Sequence, residues 1–342
     1  MQGEIPGRRG GGFPAASGAG WFLRGCAGLL LAAGLSGCTR QEAAAPPAPA
    51  PQSGLALREG FALYDAALIA AGGHRVERAP ADAPFDGADL ARNFIRVALA
   101  VEDMPRQRHS RMPLRRWDGP IRYAVLGETL GPQDHARVAE MMGRLSRLSG
   151  LSTREVPGGD GANNMVILVL DEGEVRALRG YALQRAAHDE DQHSAMVGRF
   201  LAGFLDRSDG EAPCLGAFSA TDTGTITAAT VVIRAETSGR LREACIEEEL
   251  SQSFGLTNDD PAVRPSIFND TQEFALLTTH DAYLMRILYD PRLRPGMGEA
   301  EVRHVLPEII ADLDLPSADP EADRRAVLDA VAAPVASSDS DL

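Results

Sequence analysis

The chain has 342 residues, with 34 basic and 48 acidic side chains, 44% hydrophobic and 24% charged residues, and four cysteines. That is enough for one large domain or two modest ones, and too polar for a protein that crosses a membrane many times. Every basic residue is arginine, which excludes Schiff-base lysine chemistry and the phosphate-binding lysine loop, and a formal charge of -14 argues against a nucleic-acid partner.

Arg8, Arg9 and Arg24 precede the apolar run GCAGLLLAAGL and then Leu35, Ser36, Gly37 and Cys38. A basic start, a short apolar stretch and small residues at a cleavage site are the layout of an export signal. The apolar run is about 11 residues, too short for a stable span of roughly 20, so residues 1–37 are expected to be removed. LSGC resembles a bacterial lipoprotein box. The resemblance implies that Cys38 carries lipid, palmitate included, and anchors the mature chain to a membrane. Residues 38–54, with TRQEAAAPPAPAPQSG from Thr39, form an Ala/Pro-rich tether that cannot bury a core. Thr39 in place of aspartate resembles the outer-membrane sorting pattern of Gram-negative lipoproteins, which implies a domain facing the periplasm. Loss of Glu4 and of the three arginines takes the formal charge from -14 to -16.

Residues 55–325 read as one folded domain. LALREGFALYDAALIA opens it with apolar residues three to four apart, predicting a helix that ends in the polar, turn-rich segment after it. DLARNFIRVALAV, 89–101, fits either a short helix or a strand. Ile121 to Leu126 alternates as a strand does. Val138, Met141, Met142, Leu145 and Leu148 mark an amphipathic helix stopped by Gly150. Asn164 to Leu170 reads as a buried strand, and residues 172–206 as mostly helical. Cys214 and Cys245 are the even pair left for an oxidising compartment, either joined as a disulfide or buried as separate thiols. Residues 219–227 suggest a loop or hairpin, and ITAATVVIR, 226–234, a strand. Ser238 is placed to cap a helix over 241–254 that ends at Gly255. Two more helices are predicted over 276–288 and 299–313, with Pro307 able to kink or divide the second. Residues 326–342 resemble a flexible tail. Strands and helices alternate in the middle of the chain, which indicates an α+β domain with a mixed sheet.

One helix carries the candidate chemistry. Glu248 and Gln252 stand four apart with Glu249 between them, followed by Gly255, Asn258 and Asp259. Residues at i and i+4 converge on one side of a helix. This run resembles the extended zinc-peptidase pattern of two helical histidines, a glutamate base, a turn glycine and a third histidine followed by aspartate. Glu248, Gln252 and Asn258 replace the three histidines, while Glu249 keeps the position of the base and Gly255 that of the turn. Amides are poor zinc ligands, so an oxygen-ligated divalent metal such as calcium, held by Glu248, Asn258, Asp259 and Asp260, is the metal reading. The helix also has a structural account: Ile246, Leu250 and Phe254 form an apolar stripe, with the polar pair hydrogen-bonded to neighbours. A metal-free cleft for glycan or peptide around Glu248 and Glu249 is the third reading.

The blocks DLARNFI (89–95), PLRRWDGP (113–120), CIEEELSQSFGLTND (245–259), SIFND (266–270) and LTTHDAYLMRILYDPRLRPG (277–296) resemble the DUF2927 family of uncharacterised proteobacterial secreted proteins and lipoproteins, over roughly residues 85–315. What the resemblance implies is a zincin-like α+β domain, with a strand-then-helix core and replaced histidines. His280 and Asp281, near Tyr283, are candidates to join the 248–259 region. Arg115, Arg116 and Trp117 form a group that contacts an anionic partner or pairs with carboxylates, and His188 and His193 miss the four-residue helical spacing. Two function classes follow. One is a non-catalytic periplasmic module that binds an envelope protein, peptide or glycan. The other is a metal-dependent hydrolase of peptide or murein with Glu249 as general base.

Overall fold

The computed structural model describes residues 54–100, 112–157, 162–188, 212–269, 271–316 and 319–333. Cys38, the signal, the tether up to residue 53 and His193 lie outside them. Pro49–Leu342 forms one compact unit, a single mixed α+β domain.

Helix α1 (Gly54–Ala70) is followed by α2 (Gly87–Ala98), the segment whose periodicity fitted helix or strand. Asp86 decides it: its side chain accepts the Asp89 amide at 2.8 Å while Asp89 accepts the Asp86 amide at 3.1 Å, a reciprocal cap that satisfies two orphan donors. β1 (Ile121–Leu126) leads into α3 (Pro132–Ser149), which Gly150 ends in the left-handed conformation with its amide on the Ser146 carbonyl. β2 (Thr153–Glu155), β3 (Met165–Leu170) and α4 (Glu172–His188) follow. After them come β4 (Cys214–Ala220), β5 (Ile226–Arg234) and α5 (Gly239–Gln252). The chain closes with α6 (Thr279–Leu288), α7 (Glu299–Ala311) and α8 (Pro320–Ala332). Pro307 sits inside α7 without dividing it.

Among the described residues the sheet has five strands in the order β2-β1-β3-β5-β4, all neighbours parallel except the antiparallel β4 and β5. Parallel strands are covered on both faces, and alternation along β3 and β5 sorts their side chains accordingly. Met165, Ile167, Val169, Ala229, Val231 and Ile233 enter the main core. Leu168, Leu170 and Val232 face the other way, against Val175 and Leu178 of α4. α5 therefore lies on the main-core face, with Ile246, Leu250 and Phe254 in the same cluster, as the apolar stripe predicts.

The C-terminal segment corrects the expected tail: residues 320–332 are helical, and Val327 and Ala330 are buried in the main core with α2 and α7. At the start of α2, a Cβ on Gly87 would stand 3.0 Å from Ile310 Cγ2 and 3.0 Å from Val327 Cγ2, so the helices meet closely here and a larger side chain must push their methyls aside. Gly87→Val is expected to force α7 and α8 away from α2 and cost about 1–3 kcal/mol, read as a lowered melting temperature.

Candidate functional site

α5 is polar in sequence, yet nine of its 14 residues are buried, Arg242, Glu247 and Glu249 among them. Burying charge is costly unless it is met by partners. Ser238 stands at the N-cap but makes no side-chain cap bond. Arg242 ties the entry loop instead. Its Nη2 donates to the carbonyls of Arg234, Ala235 and Thr237, its Nε to Thr237 Oγ1 at 2.6 Å, and its Nη1 to Asp134 of α3 at 2.7 Å.

Each further face of the helix meets a different neighbour. Cys245 is joined to Cys214 of β4 by a disulfide, and closing a loop of 31 residues stabilises the fold by about 3–4 kcal/mol in the chain-entropy picture. One helical turn on, Glu249 faces the same strand two residues further along β4. A Cβ on Gly216 would lie 2.6 Å from Glu249 Oε2, so the strand backbone crosses directly over this carboxylate, which is 7% exposed. Four residues along a helix and two along a strand bring both pairs into register. Glu247 points elsewhere: Arg78 grips it with both terminal nitrogens, at 2.8 and 2.5 Å, and the Leu277 amide donates to it at 2.6 Å. Burial raises the Glu247 carboxyl above the usual glutamate range, a shift that Arg78 opposes.

Glu248 and Gln252 share the remaining, half-buried side. The charge of Glu248 reaches Tyr64 of α1, whose phenol is raised first by burial and then by this carboxylate. Gln252 Nε2 donates to Asp259 Oδ1 at 3.0 Å. Asn258 Nδ2 donates to the Arg96 carbonyl at 3.1 Å and to the Asp259 carbonyl at 2.9 Å, while Arg96 pairs with Asp260 at 2.9 Å. The structure thus brings Gln252, Asn258 and Asp259 together, but with amide nitrogens already donating inward, and it turns Glu249 to a different face.

The exit of the helix is held just as closely. Gly255 has φ +118°, and any Cβ there would run into the Arg115 carbonyl. Trp117 Nε1 donates to the Ser253 carbonyl at 2.9 Å, and the Tyr289 hydroxyl to the Phe254 carbonyl at 2.8 Å. Burial pushes the Tyr289 phenol well above its ordinary value. Arg116 lies 4.8 Å over the Tyr289 ring and donates to the carbonyls of Leu288 and Asp290, while Arg115 lies 5.9 Å over the Phe218 ring.

The expected zincin-like character is overturned at this point. Among the described residues no group of three or more His, Cys, Asp or Glu side chains could hold a metal ion, which also removes the oxygen-ligated site drawn from Glu248, Asn258, Asp259 and Asp260. The physical reason is the engagement just described: Glu249 lies beneath β4, Asp260 is paired with Arg96, and the two amides present donors. No helix of the described residues is long and apolar enough to cross a membrane.

His280 and Asp281 face a different set of partners. The Asn93 amide of α2 lies 3.0 Å from His280 Nε2, which leaves Nδ1 to face Asp281 Oδ1 at 3.4 Å, with Phe85 edge-on to the ring. Asp281 accepts from Ser266 Oγ at 2.5 Å, from the amides of Ile267 and Thr278 at 3.1 and 2.9 Å, and from Thr278 Oγ1 at 2.9 Å. It caps α6 and fixes the 266–278 loop. Arg78, Asn93, Gly216 and Tyr289 are the participants that sequence reasoning missed. Asn93 and Tyr289 lie inside blocks that carry the family resemblance but had no role assigned to them, and the glycine two residues after Cys214 is legible once the Cys214–Cys245 pairing is known. Asp281→Ala leaves two buried amides and a hydroxyl without an acceptor, and is expected to lower unfolding free energy by about 3 kcal/mol or more in denaturant melts.

No curated protein matches the chain. The family described as "Protein of unknown function (DUF2927)" matches residues 87–308, from the first residue of α2 to within α7, and spans both the sheet and the α5 surroundings. The chain belongs to the DUF2927 family.

Proposed function

We propose that this protein is anchored by lipid on Cys38 to the outer membrane, faces the periplasm, and binds an extended peptide segment of an envelope protein without cleaving it. The observation that carries the non-catalytic reading is the position of Glu249. A general base needs reach to the proton it abstracts, and this carboxylate lies under the Gly216 backbone, beside a disulfide that fixes β4 to α5. The LSGC sequence ahead of an Ala/Pro tether supports the anchor, and a disulfide is the chemistry of an oxidising compartment.

β4 supports the peptide reading. Among the described residues it ends the strand order, with β5 its strand partner, and all seven of its residues are half-buried. An extended chain can add to such an edge through main-chain hydrogen bonds, with alternate side chains giving selectivity. Peptide-display selection on the mature chain is expected to yield extended binders that lose at least roughly tenfold in affinity when alternate amides are N-methylated. Binding should be indifferent to chelator. Hydrolysis of a selected peptide that stops in Glu249→Gln would contradict the non-catalytic reading, and selective retention of glycans alone would contradict the peptide reading.

A further inference from the structure

α1 carries more apolar surface than the domain uses. It buries Leu57 and Phe61 against Leu241 of α5, and Asp65 holds it to the buried His74 at 2.7 Å. Beyond that contact the helix carries three charged residues, Arg58, Glu59 and Asp65, among mostly apolar ones. Among the described residues eight large hydrophobic side chains are exposed, and four of them, Leu55, Leu63, Tyr64 and Ile69, lie on this one helix. Leu55, Leu63 and Ile69 are 67%, 72% and 39% exposed. At 100° per residue they share the side opposite Leu57 and Phe61 with the exposed Ala62, Ala66 and Ala70, and Glu59 is the charged residue among them. A helix of this kind has its second apolar partner outside the domain.

The chain ahead of it indicates which partner. Gly54, the first residue of α1, lies 16 positions after Cys38. A Pro-rich tether of that length reaches about 50 Å at most, and a flexible one averages roughly 20–25 Å. On the lipid-anchored reading, the apolar side of α1 is then the first described surface after Cys38, held at high effective concentration beside the bilayer. We propose that α1 docks in the plane of the membrane interface, with Leu55, Leu63 and Ile69 set into the boundary between headgroups and acyl chains. This rests on the lipid-anchored reading. α1 offers Arg58 against Glu59 and Asp65, and the processed chain has a formal charge of -16, so the chemistry suits uncharged or zwitterionic headgroups rather than anionic ones.

The test uses the full mature chain in vesicles of phosphatidylcholine and phosphatidylethanolamine, with a nitroxide label at Leu63→Cys. Cys38 is lipidated and Cys214 is bonded to Cys245, so the introduced thiol is the one labelled. Leu328→Cys on α8, 47% exposed, is the control. Both side chains project outward, so neither substitution disturbs packing. The label at 63 is expected to gain collisions with oxygen and lose collisions with a water-soluble nickel chelate, while the label at 328 stays aqueous. Adding anionic lipid is expected to weaken the shift. A lipidated chain whose label at 63 remains as aqueous as at 328 would overturn docking and leave the anchor standing. Dipolar broadening between labels at 63, marking a second copy on this face, would also overturn it. Mass analysis of the N-terminal peptide without lipid on Cys38 would overturn both readings.

Discussion

The fold depends on making a polar helix burial-competent. α5 enters the main core with Arg242, Glu247 and Glu249 in tow, and each would cost several kcal/mol if left unmet in a low-dielectric interior. Arg242 spends its guanidinium on the β5–α5 loop and on Asp134, and Arg78 and the Leu277 amide meet Glu247. The disulfide to Cys214 then fixes the helix against the antiparallel edge strand, and Gly216 lets that strand pass over Glu249. Elements more than 100 residues apart are thereby bound to one 14-residue segment.

Residues within the span that matches the family build this arrangement. Asn93 and Arg96 of α2, Arg115 to Trp117, the turn at Gly255, Ser266 with Ile267, and Asp281 with Tyr289 all contribute a hydrogen bond, an ion pair or a close backbone approach around α5 and α6. In a metal hydrolase the corresponding helix would offer lone pairs toward an open position. Here Gln252 and Asn258 offer N–H groups toward Asp259 and the Arg96 carbonyl. The same spacing of side chains serves to close a turn instead of opening a site.

Much of the framework was legible before the structure. β1 and β5 occupy the runs their alternation and β-branched content predict, and α3 stops at the glycine expected to stop it. β2 left no signal because three residues, Thr-Arg-Glu, carry no period. β4 was hidden because Cys-Leu-Gly-Ala-Phe-Ser-Ala lacks β-branched residues, and its place depends on pairing with β5. α8 resembled a tail because its burial falls on Val327 and Ala330 alone, against helices more than 200 residues earlier and about 20 earlier. At the site, the i, i+4 rule puts Glu248 and Gln252 on one side of α5, and both are half-buried. It could not reveal that Glu249 would meet a strand backbone, because that depends on a disulfide and a glycine 33 residues upstream.

The central claim is that α5 is the fixed centre of the domain. Hydrogen exchange along α5 tests it most directly. Amides of residues 244–252 are expected to exchange as slowly as those of β3 and β5, through global unfolding, and to accelerate together with those strands in a Cys214→Ser/Cys245→Ser variant. Fast exchange confined to α5 in the intact protein, with the sheet still protected, would contradict the account.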